Sequence, residues 1–552
     1  MLSTKNAPEE LIHCLEAYQK PEHILENGFR PRGNSAFVIQ LDEIDWEAGE
    51  KNNDKNGQYQ LHAWRMLDSF IISYTNNRIC SVIFWDAVLG VLKSWHDLQI
   101  ANGACSHLWF DMATGIRCSK LAFLIHASRH DLEADKKNRR ISPLLDRLAR
   151  LHLERFVVDK NLQGNNNSNH DYFLLKGKQQ LLRAYASKLN LEAEAQENRI
   201  ESLFKSWFPN GCHCENSPAY HFFMLEKLKL HVSTNQASDL SSLLNLADKI
   251  KDFFCFPERL IQFGDTDGGK IGKKIHFPKK IDATYSDIVE FTGDYAWLCP
   301  QKAGDGYFVV RSTCHDTDNF SMFAVNGKNR IKTHKHDDYL SYELYEKGQF
   351  IYTDSGKYSY SLDNFSESFR LPSAHNSIML STDTVHCLYE VRGHPLLDRV
   401  NVEDGGMFRI KGSYNKNKFS VSRHFSYIPG TSLEVADEIQ VYDSLGSELW
   451  YFLQFSPHLK IQKESDRTFM LQSETDQNIA TIQLSIQSNT NSSPEAEIEI
   501  AKGFHDPSDN VTVGFYSSSY NRAIERSSLW LKVRLKEPLC SLSITQHTTF
   551  LP

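Results

Sequence analysis

Nowhere in the 552 residues do about eighteen apolar residues run together, so the sequence predicts no membrane-spanning helix. The opening stretch MLSTKNAPEELIHCLEAYQK lacks the apolar core of a secretory signal. The expected location is therefore the cytoplasm, with the periplasm or the exterior as the alternative for a chain whose signal has been removed. Positive charge is also scarce. The 61 lysines and arginines fall short of the 69 aspartates and glutamates, for a net charge of −8. That balance argues against a generally basic, nucleic-acid-binding surface; an anionic ligand needs a local positive cleft instead. The eleven cysteines are odd in number and scattered, which is no disulfide framework. No strict internal repeat is present.

What is there falls into two halves, and the length alone allows several domains. Up to about residue 265 the apolar residues recur at helical spacing: Leu61, Trp64, Leu67, Phe70, Ile71 and Tyr74 in one segment, with similar patterns in IRCSKLAFLIHASRH and YFLLKGKQQLLRAYASKL. Many amphipathic helices with short polar loops predict a helical solenoid or toroid. The Gly-rich, charged stretch GDTDGGKIGKK marks a break. Beyond it come short strand-like runs such as GYFVVRS, NFSMFAVNG, QFIYTD, KFSVSRHFSYI and LEVADEIQVY, separated by turn residues and polar loops such as NTNSSPEAE. The expectation is α+β multidomain: helices in 1–265, then packed antiparallel sheets in 266–552.

Several motifs carry chemistry. In NNNSNHDY, before a helix, Ser168 or Asn169 suits a cap; alternatively the Asn169 amide points into a cleft with His170 beside it. CHCENSPAYHFFMLEKL has a Cys-x-Cys, but no second ligand pair stands nearby, which disfavours zinc. Its Ser217-Pro218 suits a helix start. Tyr220 and His221 are then either proton-transfer groups or, with Phe223 and Leu228, part of an aromatic core stripe. Arg117 and Arg370 are either ordinary ion-pairing and surface residues or clamps for a carboxylate or sulfate.

The stretch KTHKHDDYLSYELY, taken as a strand, puts His334 and His336 on one face. Glu346-Lys347-Gly348-Gln349 reads as a turn that brings QFIYTD, and so Asp354, back alongside. With His375 from SAHNSIML, two histidines and a carboxylate match a known metal arrangement. The same residues also read as a catalytic base or as solvated strand histidines.

Taken together, Asn169-His170, Glu215-Asn-Ser-Pro218-Ala-Tyr220-His221, His334-Lys-His336-Asp337-Asp338…Ser341-Tyr-Glu343-Leu, Asp354-Ser-Gly356…Tyr358-x-Tyr360 and Arg370…Ala374-His375-Asn376 resemble the heparinase II/III-like polysaccharide lyases, which include related glycosaminoglycan and alginate lyases. The order is the family's order, over about residues 100 to 460. The resemblance implies an N-terminal (α/α) toroid followed by an antiparallel β-sandwich. It implies β-elimination beside a uronic acid, with an anionic polysaccharide or oligosaccharide as partner and neither nucleic acid nor membrane involved. Asn169, helped by His170, would neutralise the uronate carboxylate; Tyr220 would be the acid and His334 the base. His336, Asp354 and His375 would hold one divalent metal, zinc, in a mainly structural role. Arg117, His221, Tyr358, Tyr360 and Arg370 would contact substrate. Glycosaminoglycans such as heparan sulfate, hyaluronan or chondroitin are preferred over alginate or oligoalginate.

Two other classes compete. One is a non-catalytic polysaccharide-binding or biosynthesis protein on the same scaffold; the retained Asn169, Tyr220 and His334 weigh against it. The other is a metal-dependent hydrolase, which needs a general base beside its metal, a role for which Asp337 or Asp338 would have to serve.

Overall fold

The computed structural model describes residues 14–551 except 32–34, 102–104, 106, 137–139, 166–167, 186–189, 236–237, 258, 267–279, 299–305, 315–319, 362, 384–392, 394, 443–446, 489–493, 508–510 and 537–539. The chain forms two compact units. One comprises Met1–Ser206 with Leu230–Ala237, the other Trp207–Lys229 with Ser238–Pro552. This division differs from the expected 1–265 and 266–552, and the Gly-rich stretch from 267 onward lies outside the described residues.

The first unit is helical. Its long helices include Ser81–Ile100, Asp111–His130, Ile141–Val158 and Asn169–Tyr185. Their apolar stripes meet in one core that includes Trp64, Phe70, Trp85, Trp95, Leu121, Leu148 and Leu174. Helices Asp111–His130 and Asn169–Tyr185 pack backbone to backbone. A Cβ placed on Gly115 would stand 2.2 Å from the Phe173 carbonyl oxygen, and one on Gly177 1.9 Å from that of Gly115. Only glycine permits this approach. No described helix is long and apolar enough to cross a membrane.

The second unit is built on antiparallel sheets. Six strands pair in chain order: β1 (Val289–Thr292), β2 (Tyr295–Leu298), β3 (Tyr307–Ser312), β4 (Met322–Asn326), β5 (Tyr342–Glu346) and β6 (Gln349–Tyr352). The predicted turn at Glu346–Gln349 joins β5 to β6. An eight-stranded sheet has Phe419–Ile428, Ser432–Val441 and Cys540–Phe550 at its middle, and a four-stranded sheet adds Glu448–Gln454 and Ser527–Arg534. Along Phe419–Ile428 buried and half-buried residues alternate, as the two-residue strand period requires. Its buried Phe425 and Tyr427 join Phe323, Tyr342 and Leu344 in the main core. Strands β4 and β5, by contrast, are buried at every position. The reason lies in the segment before residue 265: Phe253, Phe254, Phe256, Ile261 and Phe263 pack with Val309, Met322 and Ala324 in a second core. These side chains make 238–265 part of the strand unit.

Candidate active site

In the second unit, helix Pro218–Asn235 starts with proline in its first turn, as predicted. This sets Tyr220 just inside the helix. Its phenol ring stacks on the His334 imidazole, with centroids 3.6 Å apart and planes 20° from parallel. The Tyr220 hydroxyl lies 3.0 Å from that of Tyr360. Three residues from three distant segments of the sequence therefore share one cluster.

His334 does not sit on a strand. Strand β5 begins only at Tyr342, and His334 has φ of +56°, a left-handed conformation. The one strand face expected for His334 and His336 is therefore absent, but both histidines meet one residue, Asp265. One Asp265 oxygen lies 2.6 Å from His334 Nδ1 and the other 2.9 Å from His336 Nε2. Asp265 is only 2% exposed. Burial opposes its charge, but the hydrogen bonds from both histidines outweigh this and hold its carboxyl well below the usual range. The other nitrogen of His334, Nε2, is 3.8 Å from Glu215 Oε2, beyond hydrogen-bond distance. Arg370, with a side chain 28% exposed, brings its guanidinium within 4.0 Å of Asp265. Tyr360 keeps its proton: burial, then the Asp265 charge, push the phenol well above its ordinary value.

Beneath this cluster lie the expected metal ligands. His375 Nδ1 is 2.9 Å and 3.0 Å from the two Asp354 oxygens. Ser341 donates a further hydrogen bond to Asp354. The His336 and His375 ring centroids are 5.4 Å apart. His336 Nδ1 and His375 Nε2 are buried and have no hydrogen-bond partner. Two orphaned imidazole nitrogens suit a cation. The third expected ligand fits less well, because Asp354 is already engaged by His375 and Ser341. Among the described residues, no three His, Cys, Asp or Glu side chains are arranged to hold a metal.

The remaining motif residues brace the site. Arg259 forms a two-pronged ion pair with buried Glu343 at 2.9 and 3.0 Å, and Glu343 also accepts from the backbone N–H groups of Gln262 and Asp354. Asp337 pairs with Lys416, and Asp338 with Lys335. Neither aspartate is placed as a free hydrolytic base. Cys212 and Cys214 are buried.

Two expected substrate contacts are corrected. His221 is buried, its Nε2 2.9 Å from the Ala247 carbonyl and its Nδ1 accepting from the His213 backbone N–H. Both nitrogens are thus occupied by the protein, and burial lowers its pKa to about 3. Arg117, in the helical unit, is 0% exposed. Its guanidinium donates to the carbonyls of His62 and Leu108 and to the Thr114 hydroxyl. It lies 4.6 Å from the Trp95 ring centroid and 5.4 Å from that of Trp109. A guanidinium so enclosed is a core fastener. Tyr358 is half-buried and stacked on Phe369.

In the first unit, Asn169 opens helix Asn169–Tyr185 and is 4% exposed. His170 Nδ1 lies 3.0 Å from Asp111 Oδ1, at the start of the neighbouring helix. The close glycine packing of these two helices fixes that pair.

Sequence reasoning missed Asp265. It is the second residue of the Gly-rich stretch and looks there like one more loop acid.

Residues 303–543 match the family model described as "Heparinase II/III-like, C-terminal". The chain resembles the crystal structure of heparinase III, with a TM-score of 0.70, 13% identity, and coverage of 99% of this chain and 87% of that one. It also resembles the heparinase III BT4657 gene product, with a TM-score of 0.60, 13% identity and coverage of 98% and 84%. A mutant heparan sulfate lyase HepC from Pedobacter heparinus gives 0.57, 13%, and coverage of 100% and 86%. No curated protein sequence matches. The fold is that of the heparinase-like polysaccharide lyases, as expected: a helical region followed by antiparallel sheets. Residues 303–543 thus match a heparinase II/III-like C-terminal domain, and over nearly its whole length the chain shares the fold of heparinase III.

Proposed function

We propose that the protein is a lyase that cleaves uronate-containing polysaccharides by β-elimination, with glycosaminoglycans ahead of alginate as substrates. The observation that carries this reading is the stack of Tyr220 on His334, one phenol and one imidazole in a shared cluster. His334 Nε2 takes the C5 proton. The C5–H electron pair becomes the C4=C5 double bond, the C4–O4 bond breaks, and the Tyr220 hydroxyl protonates the departing oxygen. Where the C5 proton and the leaving oxygen lie on one side, Tyr220 serves as base as well, a role that needs a lowered phenol pKa. The resemblance assigns neutralisation of the uronate carboxylate to Asn169 and His170, an electrostatic contribution that grows as the enolate forms. Arg370, Tyr358 and Tyr360 are the remaining substrate-contact candidates. A zinc ion on His336, Asp354 and His375 is part of the proposal; its support is the two orphaned histidine nitrogens, and its role is to brace the loop carrying His334.

The test is incubation with heparan sulfate, chondroitin, hyaluronan and alginate while following ultraviolet absorbance of the unsaturated uronate. Absorbance that grows with the wild type and is lost in Tyr220→Phe supports the lyase. New reducing ends without that absorbance indicate hydrolysis. No change on any polymer moves the weight to the binding protein.

A further inference from the structure

The segment Gly264–Asp265–Thr266 has no role in the reading above, yet it touches every element of the cluster. Asp265 grips His334 twice: its carboxylate faces Nδ1 at 2.6 Å, and its backbone N–H donates to the His334 carbonyl at 3.2 Å. Thr266 Oγ1 lies 2.7 Å from the Ser217 hydroxyl and accepts from the Ala219 N–H, at the first turn of the helix that carries Tyr220. The Thr266 carbonyl accepts from the Lys357 N–H, three residues before Tyr360. Gly264 is held by its own N–H, which donates to Asp338 at 2.9 Å. It has φ of +55°, and a Cβ there would stand 2.1 Å from the Asn216 carbonyl oxygen and 2.5 Å from that of His334. Nothing but glycine fits such a position.

We infer that Asp265, locked by Gly264 and Thr266, is the positioning residue that fixes His334 as a proton acceptor; this rests on the lyase reading. A carboxylate only accepts hydrogen bonds. Both nitrogens facing Asp265 must therefore carry protons: Nδ1 of His334 and Nε2 of His336. In the neutral imidazole of His334 the bare nitrogen is then Nε2, which is the atom the elimination uses. Its ring lies stacked on that of Tyr220. The same carboxylate leaves His336 Nδ1 bare, so one side chain sets the tautomer of the base and of the histidine beside it.

The experiment has two arms, both on the full-length protein. In the kinetic arm, Asp265→Asn turns an amide toward one histidine and disturbs the tautomer with little change in shape. The expected result is a fall in kcat of about 100-fold or more with KM within about threefold, and a primary isotope effect on C5-deuterated substrate at least as large as in the wild type. An unchanged kcat overturns the inference. So does a parallel loss of kcat, substrate affinity and thermal unfolding temperature, which would mark Asp265 as merely structural. The second arm needs no substrate and no variant of Asp265. Nitrogen NMR of histidine-labelled wild type, with His334 assigned by its absence in His334→Gln, reads the tautomer directly. A proton on Nδ1 alone is expected; a proton on Nε2 alone overturns the inference whatever the activity. Conversely, the expected tautomer in a protein that forms no unsaturated product would count against the lyase reading alone.

Discussion

The imidazole of His334 lies flat against the phenol ring of Tyr220, 3.6 Å between centroids, although 114 residues separate them in the chain. Two proton-transfer groups in contact divide the labour of an elimination according to the face on which the C5 proton lies. His334→Ala should therefore lose about 100-fold or more of its rate on substrates whose C5 proton is opposite the leaving oxygen, and much less on their C5 epimers. Separate rate measurements on glucuronate- and iduronate-containing oligosaccharides check this. Equal losses on both would remove the division of roles.

Arg117 should report on stability and leave substrate binding alone. Arg117→Met removes the donors to the His62 and Leu108 carbonyls inside a closed aromatic cage. Leaving those oxygens unsatisfied should cost about 2–5 kcal/mol in denaturant unfolding. KM should stay within about twofold in the folded fraction. A stable variant with a raised KM would restore Arg117 as a substrate contact.

Acid should weaken the helical unit above the pH at which carboxylates titrate. Burial, with the Arg117 charge adding to it, pushes His62 and His152 each down to about 3. In the unfolded chain both titrate near about 6.5. Between these values the unfolded state binds protons that the folded state does not. Stability contributed by these two neutral imidazoles is therefore full above about pH 6.5 and is lost as pH falls toward about 3. The slope is about 1.4 kcal/mol per pH unit for each histidine. Urea unfolding at about pH 7 and about pH 5 measures it, and His152→Gln should reduce the slope. An identical slope in that variant would exclude His152 as a source.

Metal content tests the two orphaned nitrogens. The purified protein should carry about one zinc per chain, and His336→Ala or His375→Ala should remove most of it. Elemental analysis needs no activity. Unchanged zinc in both variants would dismiss the site and leave two unsatisfied buried imidazoles to be accounted for otherwise.

Much of this protein was legible without coordinates. Helical spacing in the first half and strand-length runs in the second follow from how side chains repeat on each backbone, so fold class and the β5–β6 hairpin could be read directly. Pro218 placed Tyr220 at a helix start by local chemistry alone. What the sequence could not show was enclosure. Arg117 reads as a clamp until three tryptophans from separate segments close around it. His221 reads as a ligand for substrate until the Ala247 carbonyl and the His213 amide claim it. The 238–265 segment reads as the end of a helical domain until its phenylalanines cover a sheet. Asp265 is the sharpest case. Its charge is ordinary in the sequence, and only the folded chain brings its two oxygens to two histidines about seventy residues away, because burial makes each of those hydrogen bonds obligatory.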